Sequence, residues 1–426
     1  MRRAWFKSFV ILALITLALF SSLMMPGRTR AASHDGAVPE EVVVKLLNAN
    51  DLPAVAQDYN LDPLPLDQIG SYAVYRLRIL DGVTAELKAA ALLADAPGRV
   101  IYAEENQLGE DCEEQARVIW SSGGDAGVYG TQWAQNMIRL PEAHTVSRGA
   151  GITVAVLDTG VDFTHPMLAG RLVNGYDFVD NDNDPSEVGV YGVNHSYGHG
   201  THVAGLVALA APDARIMPLR VLDADGVGDV WRLAKALVYA LDPDGNPATD
   251  DGATVINLSL SMVKRSSLLR DVLRAATCPR NDAPSNELPC ILSGGRGAVV
   301  VIAAGNNGNS TAQYPAGDSI AGSLAVGAST QADQVAAFSN YGSWVAVAAP
   351  GENILSTVPG GGYGTWSGTS MAAPLVAGEA ALIRAVNPQM NTIQAAQQIA
   401  SKGVSYRNFI RTRIDAAAAL GLGHPR

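Results

Sequence analysis

Short, largely apolar runs at residues 152–157, 216–222, 255–260, 299–304 and 324–326 are separated by stretches of helical spacing that begin near Thr201, Val230 and Ser370. Apolar runs this short read as strands buried on both faces. Parallel strands need long crossovers, and a helical crossover covers one face of the sheet. The fold class expected is therefore α/β, with a doubly wound, mainly parallel sheet. Working residues in such sheets gather at the carboxyl ends of strands, where Asp158 and Asn306 fall.

Upstream, from about residue 40 to 107, the pattern differs. Residues 42–47 read as a strand and 51–59 as a helix, while Tyr75, Leu77 and Ile79 alternate with Arg76 and Arg78 as in a half-buried strand. Thr84 caps a helical run stopped by Pro97 and Gly98, and 100–103 read as a further strand. This is a small α+β unit. The acidic and then Ser/Gly-rich stretch from about 109 to 130 reads as a flexible linker open to proteolysis.

At the amino end, Arg2, Arg3 and Lys7 precede the 17-residue apolar run 9–25 and small residues near Ala31 and Ala32, the pattern of a cleaved export signal. An uncleaved anchor is the alternative, since spanning a bilayer takes about 17 residues at least. No later stretch is expected to span, so membrane contact is expected only through this segment. The organisation expected is a signal at 1–32, the small unit at 33–110, a linker with a processing site at 111–130 and an α/β domain at 131–426. The product is expected outside the cytoplasm, secreted or held at the envelope, and monomeric.

With 48% hydrophobic and 17% charged residues, the chain can bury a sizeable core. A net charge of -11 without long basic runs argues against nucleic acid as a partner. Export permits oxidation, and Cys278 and Cys290, with 11 residues between them, could staple a surface loop. Cys112 is left over.

The segments VAVLDTG, SYGHGTHVAG and SGTSMAAP bring a carboxylate (Asp158), an imidazole (His199) and a hydroxyl (Ser370), each beside glycine. A serine hydroxyl becomes a useful nucleophile when a base takes its proton, and imidazole serves best when a third group fixes its tautomer. In order and surroundings these motifs resemble the subtilisin-type serine peptidases, the subtilases. The likeness runs from about residue 132 to 422 through RVLDADG, VINLSL, AAGN, YPAG, FSNYG and APG.

That resemblance implies a secreted serine endopeptidase acting on protein or peptide substrates through an acyl-enzyme intermediate. Ser370 would be the nucleophile, His199 the base and Asp158 its orienting partner. The Asn306 side chain and the Ser370 N–H would hold the oxyanion, and His202 would be structural. Ser259, Leu260 and Ser261 would form one wall of the substrate cleft and Ala303, Ala304 and Gly305 the other. Ser261 stands where glycine is usual and Gln313 at the pocket floor, so a broad or apolar preference is expected. The small unit resembles an inhibitory propeptide, removed by self-cleavage between about residues 107 and 129. Asp177, Asp180, Asp182 and Asp184 resemble a calcium-binding loop, whereas 242–251 reads as a solvated acidic loop. A silent, peptide-binding relative is the alternative, disfavoured by the intact trio. An α/β-hydrolase would set its serine in G-x-S-x-G ahead of the acid and histidine, and a nucleotide-binding enzyme would need spaced glycines after the first strand; neither pattern is present.

Overall fold

In the computed structural model, β1 (Ala37–Leu46), β2 (Asp67–Gln68), β3 (Val74–Arg78) and β4 (Val100–Asp111) form an antiparallel sheet in the order β4-β1-β3-β2. The structure describes residues 36–111, 121–122, 124–246, 249, 251–277, 288, 290, 297–406 and 409–423. The signal or anchor reading therefore lies outside the described residues, as do Cys112 and Cys278; Cys290 is disulfide-bonded. Residues from Ala37 onward make up one compact unit.

Strand periodicity decides what each face of the small sheet touches. Val42, Val44 and Leu46 point into a local core with Leu77, and α1 (Leu52–Asp58) and α2 (Ala85–Leu93) add Val55 and Leu92 to it. Thr84 Oγ1 caps α2 by accepting from Leu87 N. Val43, Val74 and Tyr102 instead join the core of the larger unit. β4 is far longer than the strand expected at 100–103. It continues through acidic residues and Gly109, which disfavour strands, because two edge strands further along the chain pair with it.

After β5 (Ser121–Ser122), the apolar runs build the main sheet from β6 (Thr153–Asp158), β7 (Tyr176–Asp177), β8 (Arg215–Arg220), β10 (Val255–Leu258), β12 (Val299–Ala303), β13 (Ser323–Ser329), β14 (Val347–Pro350), β17 (Val404–Ser405) and β18 (Thr412–Arg413). Their order is β17-β18-β14-β13-β12-β10-β6-β8-β7, parallel except between β17 and β18. Val154 and Val156 of β6 face one core with α3 (His199–Ala210) and α6 (Thr369–Val386). Ala155 and Leu157 face the other, with α4 (Val230–Leu241) and α5 (Ser267–Thr277). Both faces are covered, as the largely apolar runs require.

The edge strands β9 (Val227–Asp229) and β11 (Leu260–Ser261) lie off this sheet, as does the hairpin of β15 (Ile354–Val358) and β16 (Gly362–Trp366) that receives β5. By length and composition α6 could cross a membrane, contrary to the expectation for later segments, but 89% of it is buried within the protein. Its apolarity is that of a core helix.

Candidate active site

Asp158 ends β6 and His199 opens α3, and a close approach of backbone joins them. A Cβ on Gly200 would lie 2.1 Å from the Gly160 carbonyl oxygen, so no larger residue fits between strand end and helix start. His199 Nδ1 consequently stands 2.7 Å from Asp158 Oδ1, with both side chains buried. Asp158 Oδ1 also accepts from Thr159 N at 2.8 Å. The His199 ring meets the Trp366 ring edge-on at 5.3 Å.

Glu187, which sequence reasoning missed, ties this pair to its surroundings. It accepts from Thr159 Oγ1 at 2.7 Å, from Thr201 N at 3.1 Å and from Thr201 Oγ1 at 2.8 Å, while Gly200 N donates to Thr159 Oγ1. The start of α3 is thereby satisfied by a loop carboxylate rather than by its own cap residue, Gly198. Burial, reinforced by the nearby Asp158 charge, pushes the Glu187 carboxyl up to about 7 against the hydrogen bonds from Thr159 and Thr201. His202 Nε2 sits within 3.2 Å of the Ile354 and Gly364 carbonyls, and burial, with His199 nearby, lowers it to about 3. It is a neutral packing residue. His165 likewise bonds the Gly362 carbonyl, at 2.8 Å, and His195 is exposed.

Ser370 lies in the first turn of α6, fully buried. Pro374, four residues on, has no N–H for the Ser370 carbonyl, and Ser259 Oγ supplies that donor at 3.0 Å. Ser370 Oγ in turn donates weakly to the Ser259 carbonyl at 3.4 Å. Asn306 Oδ1 accepts from Thr369 N at 2.9 Å and Thr369 Oγ1 at 3.0 Å, which turns the donating end of its amide away from Thr369. The first turn of α6, where unpaired N–H groups favour negative charge, therefore gathers Ser370, Asn306 and Ser259.

Leu260 and Ser261 form β11 beside this centre, and the tail of β4 pairs with it: Glu110 lies opposite Ser261 and Asp111 opposite Leu260. The described tail's second ladder is β9, not Ala303, Ala304 and Gly305. Ala303 ends β12, and Ala304 N and O are engaged by the Val326 carbonyl and Asn340 Nδ2. The glycines of the β9 segment hid it, since they lower strand propensity. Gln313 does reach the site, for a Cβ on Gly305 would fall 2.0 Å from its Oε1.

The four aspartates proposed as a calcium loop do not form an open cage. Arg220 Nη1 lies 2.5 Å from both Asp177 and Asp180, supplying the positive charge itself. Asp182 and Asp184 accept from the backbone N–H groups two residues on. These residues do not fit an ion as arranged. Among the described residues, the carboxylates that converge within 4.8 Å are those of Asp242, Asp244 and Asp251, and that group could hold an ion.

Residues 149–417 match the family model described as Subtilase family. The chain is 35% identical over 423 residues to a thermophilic serine proteinase of Bacillus sp. (strain AK1), covering 92% of this chain and 94% of that protein. It is 39% identical to thermitase of Thermoactinomyces vulgaris over 275 residues, 62% of this chain and 86% of the relative. In fold it is similar to fervidolysin from Fervidobacterium pennivorans, with a TM-score of 0.71 at 24% identity over 92% of this chain and 62% of that one.

Proposed function

Because this chain belongs to the subtilase family and is a serine proteinase of the subtilisin type, we propose that Ser370, His199 and Asp158 cut the peptide bond, with Asn306 holding the oxyanion. The observation that carries the reading is the 2.7 Å contact of His199 Nδ1 with Asp158, which leaves Nε2 as the nitrogen for the serine. Ser370 Oγ attacks the substrate carbonyl carbon as His199 Nε2 takes its proton. The oxyanion is met by the Asn306 amide and the Ser370 N–H at the start of α6. His199 then returns the proton to the departing amine as the C–N bond breaks, leaving an acyl-enzyme. Water, deprotonated by the same imidazole, releases the acid.

The protein is made as an exported precursor that silences itself. What supports this is that the tail of β4 pairs with β11 and β9 as an extended peptide would, while Ser121 pairs with Thr365 of β16. Self-cleavage falls beyond the paired tail and before about residue 129, after which the sheet of β1–β4 stays as an inhibitor until it dissociates or is degraded. The Asp242, Asp244 and Asp251 carboxylates offer only oxygen, which suits calcium in a structural role.

The test compares the full chain with Ser370→Ala on an unfolded protein and a serine-directed fluorophosphonate. Wild type should cut and be labelled, and the variant should do neither. A wild type that stays inert after removal of its first 111 residues would leave a peptide-binding protein. Mass spectrometry of the processed amino terminus checks the cleavage interval.

A further inference from the structure

The tail of β4 pairs with β9 and β11 through residues 108 to 111. Leu108 lies opposite Asp229, Gly109 opposite Gly228 and Glu110 opposite Val227. Successive residues of an extended strand present alternate faces, so Gly109 faces away from the side that Leu108 and Glu110 share. Its backbone is outside the left-handed region. Conformation alone would therefore admit any L residue there, and what excludes one is a neighbour.

A Cβ on Gly109 would lie 2.9 Å from Met262 Cγ, 3.4 Å from Met262 Sδ and 3.6 Å from the Ser261 carbonyl oxygen. The first distance is shorter than real Cβ contacts allow, so the Met262 side chain fills the space a substrate side chain would need. Met262 is also firmly seated. Its N–H and carbonyl exchange hydrogen bonds of 2.7 and 2.9 Å with Tyr314, and its side chain is 4% exposed in a core with Leu260, Leu268 and Leu269. Moving it aside would disturb close-packed neighbours.

We infer that Met262 makes this a glycine-selective position: substrates carry glycine where the tail carries Gly109, and larger side chains are refused. The inference rests on the reading above that tail and substrate share one cleft. Its substrate class is unfolded protein with glycine at this fixed distance before the cut. Alanine is the borderline case, needing only a small shift of a flexible thioether, whereas leucine or phenylalanine needs the whole volume.

Two size exchanges test it. In the full chain, Gly109→Leu should slow self-cleavage about tenfold or more, and adding Met262→Gly should restore much of the loss. In the processed enzyme, made from precursors that keep Gly109, a mixed peptide pool is digested and the products sequenced. Wild type should show glycine at one fixed position before the cut, and Met262→Gly should admit large aliphatic residues at that position. A Gly109→Leu precursor that matures at the wild-type rate, or a product profile unchanged by Met262→Gly, overturns the inference while leaving the peptidase intact. Absence of any cleavage by wild type overturns the peptidase reading instead. Should Gly109→Leu fail to fold, the product profile decides.

Discussion

Buried charge is handled in opposite ways at the junction of the β1–β4 sheet with the larger unit and at Glu379 of α6. At the junction the buried charges of the β1–β4 sheet have partners across the boundary. Lys45 pairs with Asp271 of α5, whose other oxygen accepts from Leu288 N at 3.0 Å. Glu104 accepts from Ser266 Oγ, Ser267 N and Leu268 N at the start of α5. Asn106 accepts from Trp231 N at the start of α4, and Asp67 from Trp231 Nε1 and Lys235 Nζ. On α6, by contrast, Glu379 is fully buried with neither carboxyl oxygen hydrogen-bonded. Directional polar contacts specify how one piece docks and can be traded for water when it leaves, whereas an apolar core has no such exit. The junction is built like an interface and the α6 core like a permanent interior.

The largest expected effect breaks the junction at Lys45. In the uncut Ser370→Ala chain, Lys45→Met leaves Asp271 buried without its cation, a loss of about 3–5 kcal/mol. Amide exchange should quicken throughout β1, β3 and β4 while β12 and β13 keep their protection. Adding Asp271→Leu should recover most of the loss, since an apolar pair of similar size substitutes well for a buried ion pair. A double variant as loose as the single one would mean that the pair is incidental. Glu104→Ala should act in the same direction but less, by about 2 kcal/mol, because it removes charge-assisted caps from a helix that keeps Ser266 as its own cap. Exchange should then quicken chiefly in β4 and the first turn of α5.

The same contrast marks how far the sequence was readable. Local patterns sufficed for the main sheet, because runs such as 152–157 and 299–304 are apolar but for Thr153, and for the site trio, because motif and strand end coincide at Asp158. They failed where the deciding partner is distant in sequence. Residues 109–111 read as the start of a linker until β9 and β11, more than a hundred positions away, pair with the tail of β4. The acidic loop at 177–184 resembles an ion site until Arg220 of β8 enters it. Glu187 is one more loop acid until Thr159 and Thr201 converge on it.

Glu379 offers the smallest and sharpest test. Burial first, and Asp415 second, hold its carboxyl well above the usual carboxylate range, with Arg413 opposing. Unfolding returns the group to about 4.3. Between these values the folded protein binds the extra proton, so Glu379 supports the fold at low pH and loses that contribution as pH rises toward its raised folded value. Glu379→Met keeps the volume and removes an unsatisfied polar group, so it should stabilise the Ser370→Ala chain by about 1–3 kcal/mol near neutrality. It should also flatten the decline in stability as pH rises above the ordinary carboxylate range, read by denaturant unfolding at several pH values. Junction exchange rates should not change. If wild type and variant decline in parallel, the slope belongs to other groups and the unpartnered carboxyl costs the core little.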